Sequence, residues 1–134
     1  MTEQEIRSMK PGPEMDRTLG LALGYEEILV HEDLERRQKS EHERGTIIRY
    51  GIRYILRRKD QPAVEWSPST SWEGMGLVVE ELRKHYRVDL LLEADTNYCS
   101  ITDYDDTIEA GSDISAPHAV AKAALLALRG GASG

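Results

Sequence analysis

The alternation of apolar and polar side chains over residues 46–57 constrains the fold of this chain more than any other feature. A period of two, carried by isoleucine, tyrosine and threonine, is typical of a β-strand, and Gly51 in the middle allows a bend into a hairpin. We therefore expect a strand or a hairpin here. Along a continuous strand, one face carries Ile48, Tyr50, Ile52, Tyr54 and Leu56, and the other carries Ile47, Arg49, Gly51, Arg53, Ile55 and Arg57.

Three segments have the spacing of apolar residues that predicts helices. The first covers residues 13–24, with proline in its first turn and glycine at its end. The second covers residues 71–86 and follows a capping box formed by Thr70 and Glu73. The third covers residues 116–128 and is apolar around most of its circumference. Such a helix is deeply packed, and its many alanines permit close approach to neighbouring elements.

Shorter extended segments lie between the predicted helices. Residues 25–30 and 63–66 predict short strands, and residues 88–93 with 98–104 predict an antiparallel hairpin. Residues 105–113 are rich in aspartate and predict an acidic loop.

The order helix, strands, helix, hairpin, helix predicts an α+β fold. We expect a three-layer α/β/α-type sandwich, with a small, mostly antiparallel sheet and about three helices. One domain covers residues 13–129, and within it the charged residues 31–44 are expected to form either a solvated helix or a mobile loop. Residues 1–12 and the glycine-rich residues 130–134 are expected to be a flexible N-terminus and a flexible tail.

The overall composition excludes several classes of protein. The chain has 134 residues, one cysteine and a net charge of −7, which disfavours binding to nucleic acid. No apolar run approaches the roughly 18 residues that span a bilayer. The first ten residues lack the apolar core of a secretory signal. We therefore expect a cytoplasmic protein with no membrane contact and no cofactor.

The charged residues are segregated along the chain. Residues 45–65 carry five lysines and arginines against two carboxylates, whereas residues 88–115 carry eight carboxylates and no lysine or arginine. Any anionic ligand is therefore expected at the first segment, and any cation at the second.

Three blocks of sequence, in the same order, resemble a family of small bacteriophage proteins called the phage ABA-sandwich domain. The first block is Lys10-Pro11-Gly12-Pro13-Glu14-Met15-Asp16 followed by Leu19, Leu23 and Gly24. The second is Trp66-Ser67-Pro68-Ser69-Thr70-Ser71-Trp72 followed by Val78-Val79-Glu80-Glu81-Leu82, and the third is the Ala-Leu helix from Ala116 to Leu126. Ser71 departs from the aspartate that is usual in the family, and the charged residues 31–44 look like an insertion relative to it. The resemblance implies an α/β/α sandwich of phage or prophage origin, and it implies no activity.

Two features suggest a site for an anionic ligand. Arg49, Arg53 and Arg57 would lie on one face of a continuous strand, about 13 Å between neighbours, where they could contact phosphates. The alternative is that these three arginines simply lie on a solvent-exposed face of the sheet. The hydroxyl turn Ser69, Thr70 and Ser71 precedes a helix N-terminus that could bind a phosphate or carboxylate. The alternative for this turn is helix capping.

Two further features are candidates for catalysis or metal binding. An acidic cluster could hold Mg²⁺ or Ca²⁺, although it lacks the EF-hand pattern and also fits a solvated loop. Cys99 is on the same strand face as Ile101, where a buried, inert thiol is expected. The residues of the acidic cluster are Asp103, Asp105, Asp106 and Glu109.

The sequence thus favours a non-enzymatic binding module, a phage accessory protein that acts on a host protein or on a small phosphorylated ligand. Sequestering a nucleotide signal of host defence is one version of this hypothesis. A metal-assisted hydrolase and a phage structural or assembly protein are the alternatives, and self-association through the acidic hairpin edge or residues 31–44 is left open.

Overall fold

The computed structural model describes residues 1–31, 44–105 and 108–132, so most of the predicted insertion at 31–44 lies outside the described residues. The described residues form an α+β structure with four helices and two small, mostly antiparallel sheets, which confirms the predicted fold class of a small α+β sandwich. The helices are α1 (Glu3–Ser8), α2 (Pro13–Ala22), α3 (Trp72–Leu82) and α4 (Ala116–Ala132). The strands are β1 (Glu26–Leu29), β2 (Thr46–Tyr50), β3 (Arg53–Arg57), β4 (Val64–Glu65), β5 (Arg87–Leu92), β6 (Asn97–Thr102) and β7 (Ile108–Asp113).

The first sheet has the strand order β1-β2-β3-β4. Strand β1 pairs in parallel with β2, and the other pairs are antiparallel. The alternating segment 46–57 is the hairpin β2–β3 rather than one continuous strand. Gly51 lies in its turn with a φ of 63°, a left-handed conformation that glycine adopts without steric cost. This turn reverses the chain and decides where the three arginines lie.

The second sheet has the order β5-β6-β7 and is antiparallel throughout. Its first two strands confirm the hairpin predicted from residues 88–104. The prediction of an acidic loop over 105–113 is wrong, because Ile108–Asp113 is strand β7. Gly111 of this strand is opposite Cys99 and is held against helix α4. Packing on the helix therefore outweighs the weak strand propensity of the segment.

Helix α4 lies at the centre of the packing. It contacts β6 and β7 on one side and helices α1, α2 and α3 on others. Ala119 and Ala123 are fully buried, as expected for alanines that let neighbouring backbones approach closely. The largest fully buried side chains around this helix and the first sheet are Trp66, Ile6, Met15, Leu19, Ile47, Leu56, Leu82, Ile101, Leu126, Val78 and Val120.

Helical structure extends into both of the segments that the sequence predicts to be flexible, 1–12 and 130–134. Residues 1–12 contain helix α1, which begins with a capping box between Thr2 and Glu5 and buries Ile6 in the core. At the other end, α4 continues to Ala132, so helix occupies part of the predicted tail at 130–134. Residues 133–134 lie outside the described residues.

Candidate binding surface

The hairpin separates the three arginines that the sequence placed on one face. Arg49 is opposite Tyr54 in the β2–β3 register, and Arg53 and Arg57 are opposite Tyr50 and Thr46. Directly opposite residues of paired strands share a face, and successive residues of one strand point to opposite faces, so Arg49 is on the reverse face from Arg53 and Arg57. The predicted stripe of three arginines on one face is therefore wrong. Whether any one of them binds a ligand stays a prediction.

Arg49 lines a cleft of about 300 Å³ beside helix α2. Its Nε donates a hydrogen bond to the carbonyl oxygen of Gly51 at 2.9 Å, which orients the guanidinium across the hairpin turn. The cleft is mixed in charge, because it contains two arginines and two glutamates. Its lining residues are Glu14, Arg17, Glu27, Ile28, Leu29 and Arg49.

Glu27 is the most fully engaged carboxylate of this cleft. Arg17 Nε lies 2.9 Å from both of its oxygens, and the Tyr54 hydroxyl donates to Oε2 at 2.9 Å. Hydrogen bonding to Glu27 raises the pKa of Arg17. Burial, and then the hydrogen bond to Glu27, raise the pKa of Tyr54. Glu27 is thus held by two donors, and Arg49 is the second cationic side chain that lines the cleft.

Arg53 and Thr70 meet at a second, smaller cleft of about 180 Å³, which Asp16 and Glu65 also line. Arg53 Nε lies 3.6 Å from Glu65 Oε1, and both side chains are more than half exposed. An exposed ion pair of this kind contributes little to stability. Burial raises the pKa of Asp16, which lines this cleft, although the hydrogen bonds that Asp16 accepts from Ser69 lower that pKa in part.

The hydroxyl turn is used for helix capping. Ser71 is the N-cap of α3 and accepts from the Gly74 N–H at 3.0 Å, so the predicted capping box at Thr70 is wrong by one residue. Ser69 is fully buried, and its hydroxyl oxygen accepts from the Gly12 N–H at 2.9 Å. The Ser67 and Ser71 hydroxyls lie 2.8 Å apart. These contacts agree with the capping alternative that the sequence left open.

The predicted acidic cluster is divided between a turn and a strand. In the turn, Asp103 accepts a hydrogen bond from the Asp105 N–H at 2.9 Å. Glu109 lies in strand β7, opposite Ile101 of strand β6. Asp106 lies outside the described residues. Within the ranges that the structure describes, no three His, Cys, Asp or Glu side chains come together as a group that could hold a metal ion.

Cys99 is buried in β6, as its position in the alternation predicts. Burial, with a smaller contribution from the charge of Asp89, raises the pKa of its thiol to about 11. A thiol with this pKa is almost wholly protonated near neutral pH and is a poor nucleophile.

The exposed edge of the second sheet belongs to the hairpin whose edge the sequence left open as a surface for self-association. Leu90, Leu91 and Leu92 of the terminal strand β5 are 37%, 56% and 53% exposed. Tyr98, which is opposite Leu91, and Ile108 are exposed on the same sheet. Three consecutive leucines in a strand were the available signal, since one face of a sheet cannot bury all three.

In the part of the chain that the structure describes, no strand pairs with the outer side of β5. The Glu93 N–H bonds to the Thr96 carbonyl, toward β6. In an antiparallel strand the N–H and C=O of one residue point to the same side and alternate along the chain. The backbone groups of Val88, Leu90 and Leu92 therefore point away from β6, and no described strand pairs there. We call strand β5 with these outward groups the β5 edge.

Comparison of the chain with protein-family models, curated proteins and solved structures gives no match in any of the three. In the part of the chain that the structure describes, no helix is both long enough and apolar enough to span a membrane.

Proposed function

We propose that the protein is a non-enzymatic binding module whose partner is a protein that pairs with the β5 edge. An added strand would take up the outward backbone groups of Val88, Leu90 and Leu92 by β-strand addition. The sequence resemblance suggests that this binding module is a phage accessory protein.

The observation that carries the proposal is the coincidence of unpaired backbone and exposed leucines on one strand. Monomeric proteins usually protect such an edge with charged side chains, lysine above all, or with proline, a bulge or a covering element, and the charged residues of β5 are confined to Arg87 and Asp89 in its first half. Strand β5 has no lysine or proline, and its six residues pair in continuous register with β6. An edge of this kind is a template for another strand.

The side chains add apolar contact to the backbone pairing. Full burial of an exposed leucine contributes about 1.5–3 kcal/mol, and because these leucines are 37–56% exposed, complete cover by a partner would contribute roughly half of that for each. Tyr98 and Leu91 form a cross-strand pair on the sheet face that points away from α4, and both are exposed. A partner strand with apolar residues at alternate positions would pack on this pair.

Site-specific photo-crosslinking in bacterial cells tests the proposal. A photoreactive amino acid at Leu92 should give covalent adducts with protein, and one at the exposed Glu73 of α3 should not. The background variant Leu90→Pro removes one outward N–H and should abolish the Leu92 adducts. Adducts of equal yield at both positions, or no adduct at Leu92, would contradict the proposal.

A small phosphorylated ligand at the Arg49 cleft is a second candidate. Arg17 and Arg49 supply cationic groups, and the volume of about 300 Å³ is at the lower limit for a ligand pocket. A thermal-shift screen with linear and cyclic nucleotides should show a shift that Arg49→Gln removes. Arg53→Gln is the matched control, because Arg53 lies on the other face. No shift, or equal loss in both variants, would contradict this candidate.

A further inference from the structure

We infer that the partner of the β5 edge is a second copy of this chain, paired antiparallel so that Leu90 is opposite Leu90 of the second copy. This inference rests on the proposed function, because it names the protein that occupies the edge. It follows from the geometry of a symmetric strand pair and from the positions of the charges on β5.

Symmetry restricts the registers that two copies can adopt. In a twofold antiparallel pair that keeps both α4 helices on one side of the sheet, paired residues must be on the same face. A residue is therefore opposite either the same residue of the second copy, in which case we say that it faces itself, or a residue that is an even number of positions away along the chain. In each of these registers, outward backbone groups of one strand are opposite outward backbone groups of the other wherever the two strands overlap.

Charge then selects among the allowed registers. With Leu90 facing itself, Arg87 is opposite Glu93 of the second copy, and Val88 is opposite Leu92 of the second copy. With Asp89 facing itself, two carboxylates are directly opposite, which is destabilising. With Leu91 facing itself, Asp89 is opposite Glu93 of the second copy, and with Leu92 facing itself, Asp89 is opposite Asp95 of the second copy. Both pairs carry like charges.

One other register has favourable charges. With Val88 facing itself, Arg87 is opposite Asp89 of the second copy. That register leaves Leu91 and Leu92 beyond the paired region, and Arg87 Nε already lies 3.0 Å from Asp89 Oδ2 within the chain. Only the register centred on Leu90 pairs all three leucines with the second copy and also places Arg87 opposite a carboxylate other than that of Asp89, which it already contacts within its own chain.

Net charge opposes the association, and this has a measurable consequence. Each copy carries a net charge of −7, and the β5 edge belongs to the most acidic part of the chain. Added salt screens the repulsion between copies. We therefore expect the dissociation constant of the pair to fall as the ionic strength rises through the physiological range.

Sedimentation equilibrium of the full chain over a wide concentration range measures the association. The weight-average mass should rise from 15.1 kDa toward twice that value. Arg87→Glu should raise the dissociation constant about tenfold, because it places two like-charged pairs across the symmetric junction. The double variant Arg87→Glu/Glu93→Arg should restore association. Rescue by Asp89→Arg instead would overturn the register.

Disulfide trapping tests the register without relying on charge. In a Cys99→Ser background, Leu90→Cys should form a covalent dimer, because hydrogen-bonded partners have Cα atoms about 5.5 Å apart, within disulfide reach. Leu91→Cys is the matched control. Leu91 is more exposed than Leu90, yet in this register it is two positions away from Leu91 of the second copy. The Cα atoms of the two Leu91 residues are then about 8 Å apart by strand geometry.

The outcomes separate the inference from the function on which it rests. A monomer at every concentration, with no Leu90→Cys dimer, overturns self-pairing. If photo-crosslinking at Leu92 then gives adducts only with other proteins, the proposed function stands with a different partner. If Leu92 gives no adduct at all, both fail. A dimer that traps Leu91→Cys as readily as Leu90→Cys overturns the pairing through β5.

Discussion

A β-carbon built on Gly111 would stand 2.6 Å from the carbonyl oxygen of Ala119. Strand β7 and helix α4 therefore touch through their backbones, and only glycine fits at this crossing. The contact explains why β7 lies under α4 although its residues, which include Glu109 and Asp113, have weak strand propensity.

Gly111→Ala should lower the free energy of unfolding by about 1–3 kcal/mol, because the added methyl group meets backbone atoms of α4 that cannot move independently. Gly76→Ala in α3 is the control. A β-carbon there meets nothing within 4 Å, and alanine in a helix interior is favoured by about 0.5–1 kcal/mol. Urea denaturation should give opposite signs for the two variants. Equal effects would contradict the close packing.

Local periodicity in the sequence is enough to predict the α+β class, helices α2 and α4 and the β5–β6 hairpin. It missed β7 and α1, whose positions depend on contacts distant in the chain. Ile6 alone anchors α1 in the core, and Gly111 sets β7 against α4. Neither a single buried residue nor a glycine produces a periodic signal.

The candidate site was less predictable than the fold. Alternation over 46–57 is the same for one strand and for two strands joined by a short turn, so it could not determine that Arg49 and Arg53 lie on opposite faces. The left-handed conformation of Gly51 decided this. The exposure of Leu90 depends on which strand lies at the end of the sheet, and that order is a property of the assembled fold.

At pH values above the ordinary pKa of aspartate, the ionised carboxylate of Asp113 should stabilise the fold. Its Oδ2 lies 3.0 Å from Lys122 Nζ and 3.0 Å from His118 Nδ1. Burial alone would raise its pKa, but the hydrogen bonds from Lys122 and the Ser115 N–H, with the charges of His118 and Lys122, lower it. A lowered pKa in the folded state means that the ionised carboxylate stabilises the fold, and that this contribution is lost as the pH falls through the folded pKa.

Asp113→Asn should therefore cost about 1–3 kcal/mol at neutral pH, and less as the medium becomes acidic. Urea denaturation of both proteins over the acid range measures the difference. Asp105→Asn, at an exposed turn, is the control. A cost that stays constant down to strongly acidic pH would contradict the role assigned to the carboxylate.

Asp16 should have the opposite pH dependence. Its Oδ1 accepts the Ser69 N–H at 2.7 Å, and burial raises its pKa despite this hydrogen bond. Ionisation of Asp16 therefore opposes folding, and the wild type should lose stability relative to Asp16→Asn as the pH rises from the ordinary aspartate pKa to the raised one. Above that range the difference should be constant.

Asp16→Ala separates the hydrogen bond from the charge. It leaves the Ser69 N–H without its acceptor in a buried position, which should cost about 1–3 kcal/mol at all pH values. Thermal unfolding of the two variants across the acid and neutral range measures both effects. If Asp16→Asn and Asp16→Ala were equally unstable, the acceptor role of Asp16 would be refuted.

The Cys99 thiol should resist alkylation in the native protein. Burial raises its pKa to about 11, so little thiolate is present and little of it is accessible. Iodoacetamide at mildly alkaline pH should label the urea-unfolded chain far faster than the native chain. Comparable rates would show that β6 opens readily or that the thiol is accessible.

The most direct test of the β5 edge is amide hydrogen exchange, followed residue by residue at low and high protein concentration. The outward amides of Val88, Leu90 and Leu92 should exchange rapidly in the dilute protein and become protected as the concentration rises. The amides of Asp89 and Leu91, which point to β6, should be protected at both concentrations. If the outward amides exchanged at a rate independent of concentration, or were already protected when dilute, pairing of two copies at the β5 edge would be contradicted.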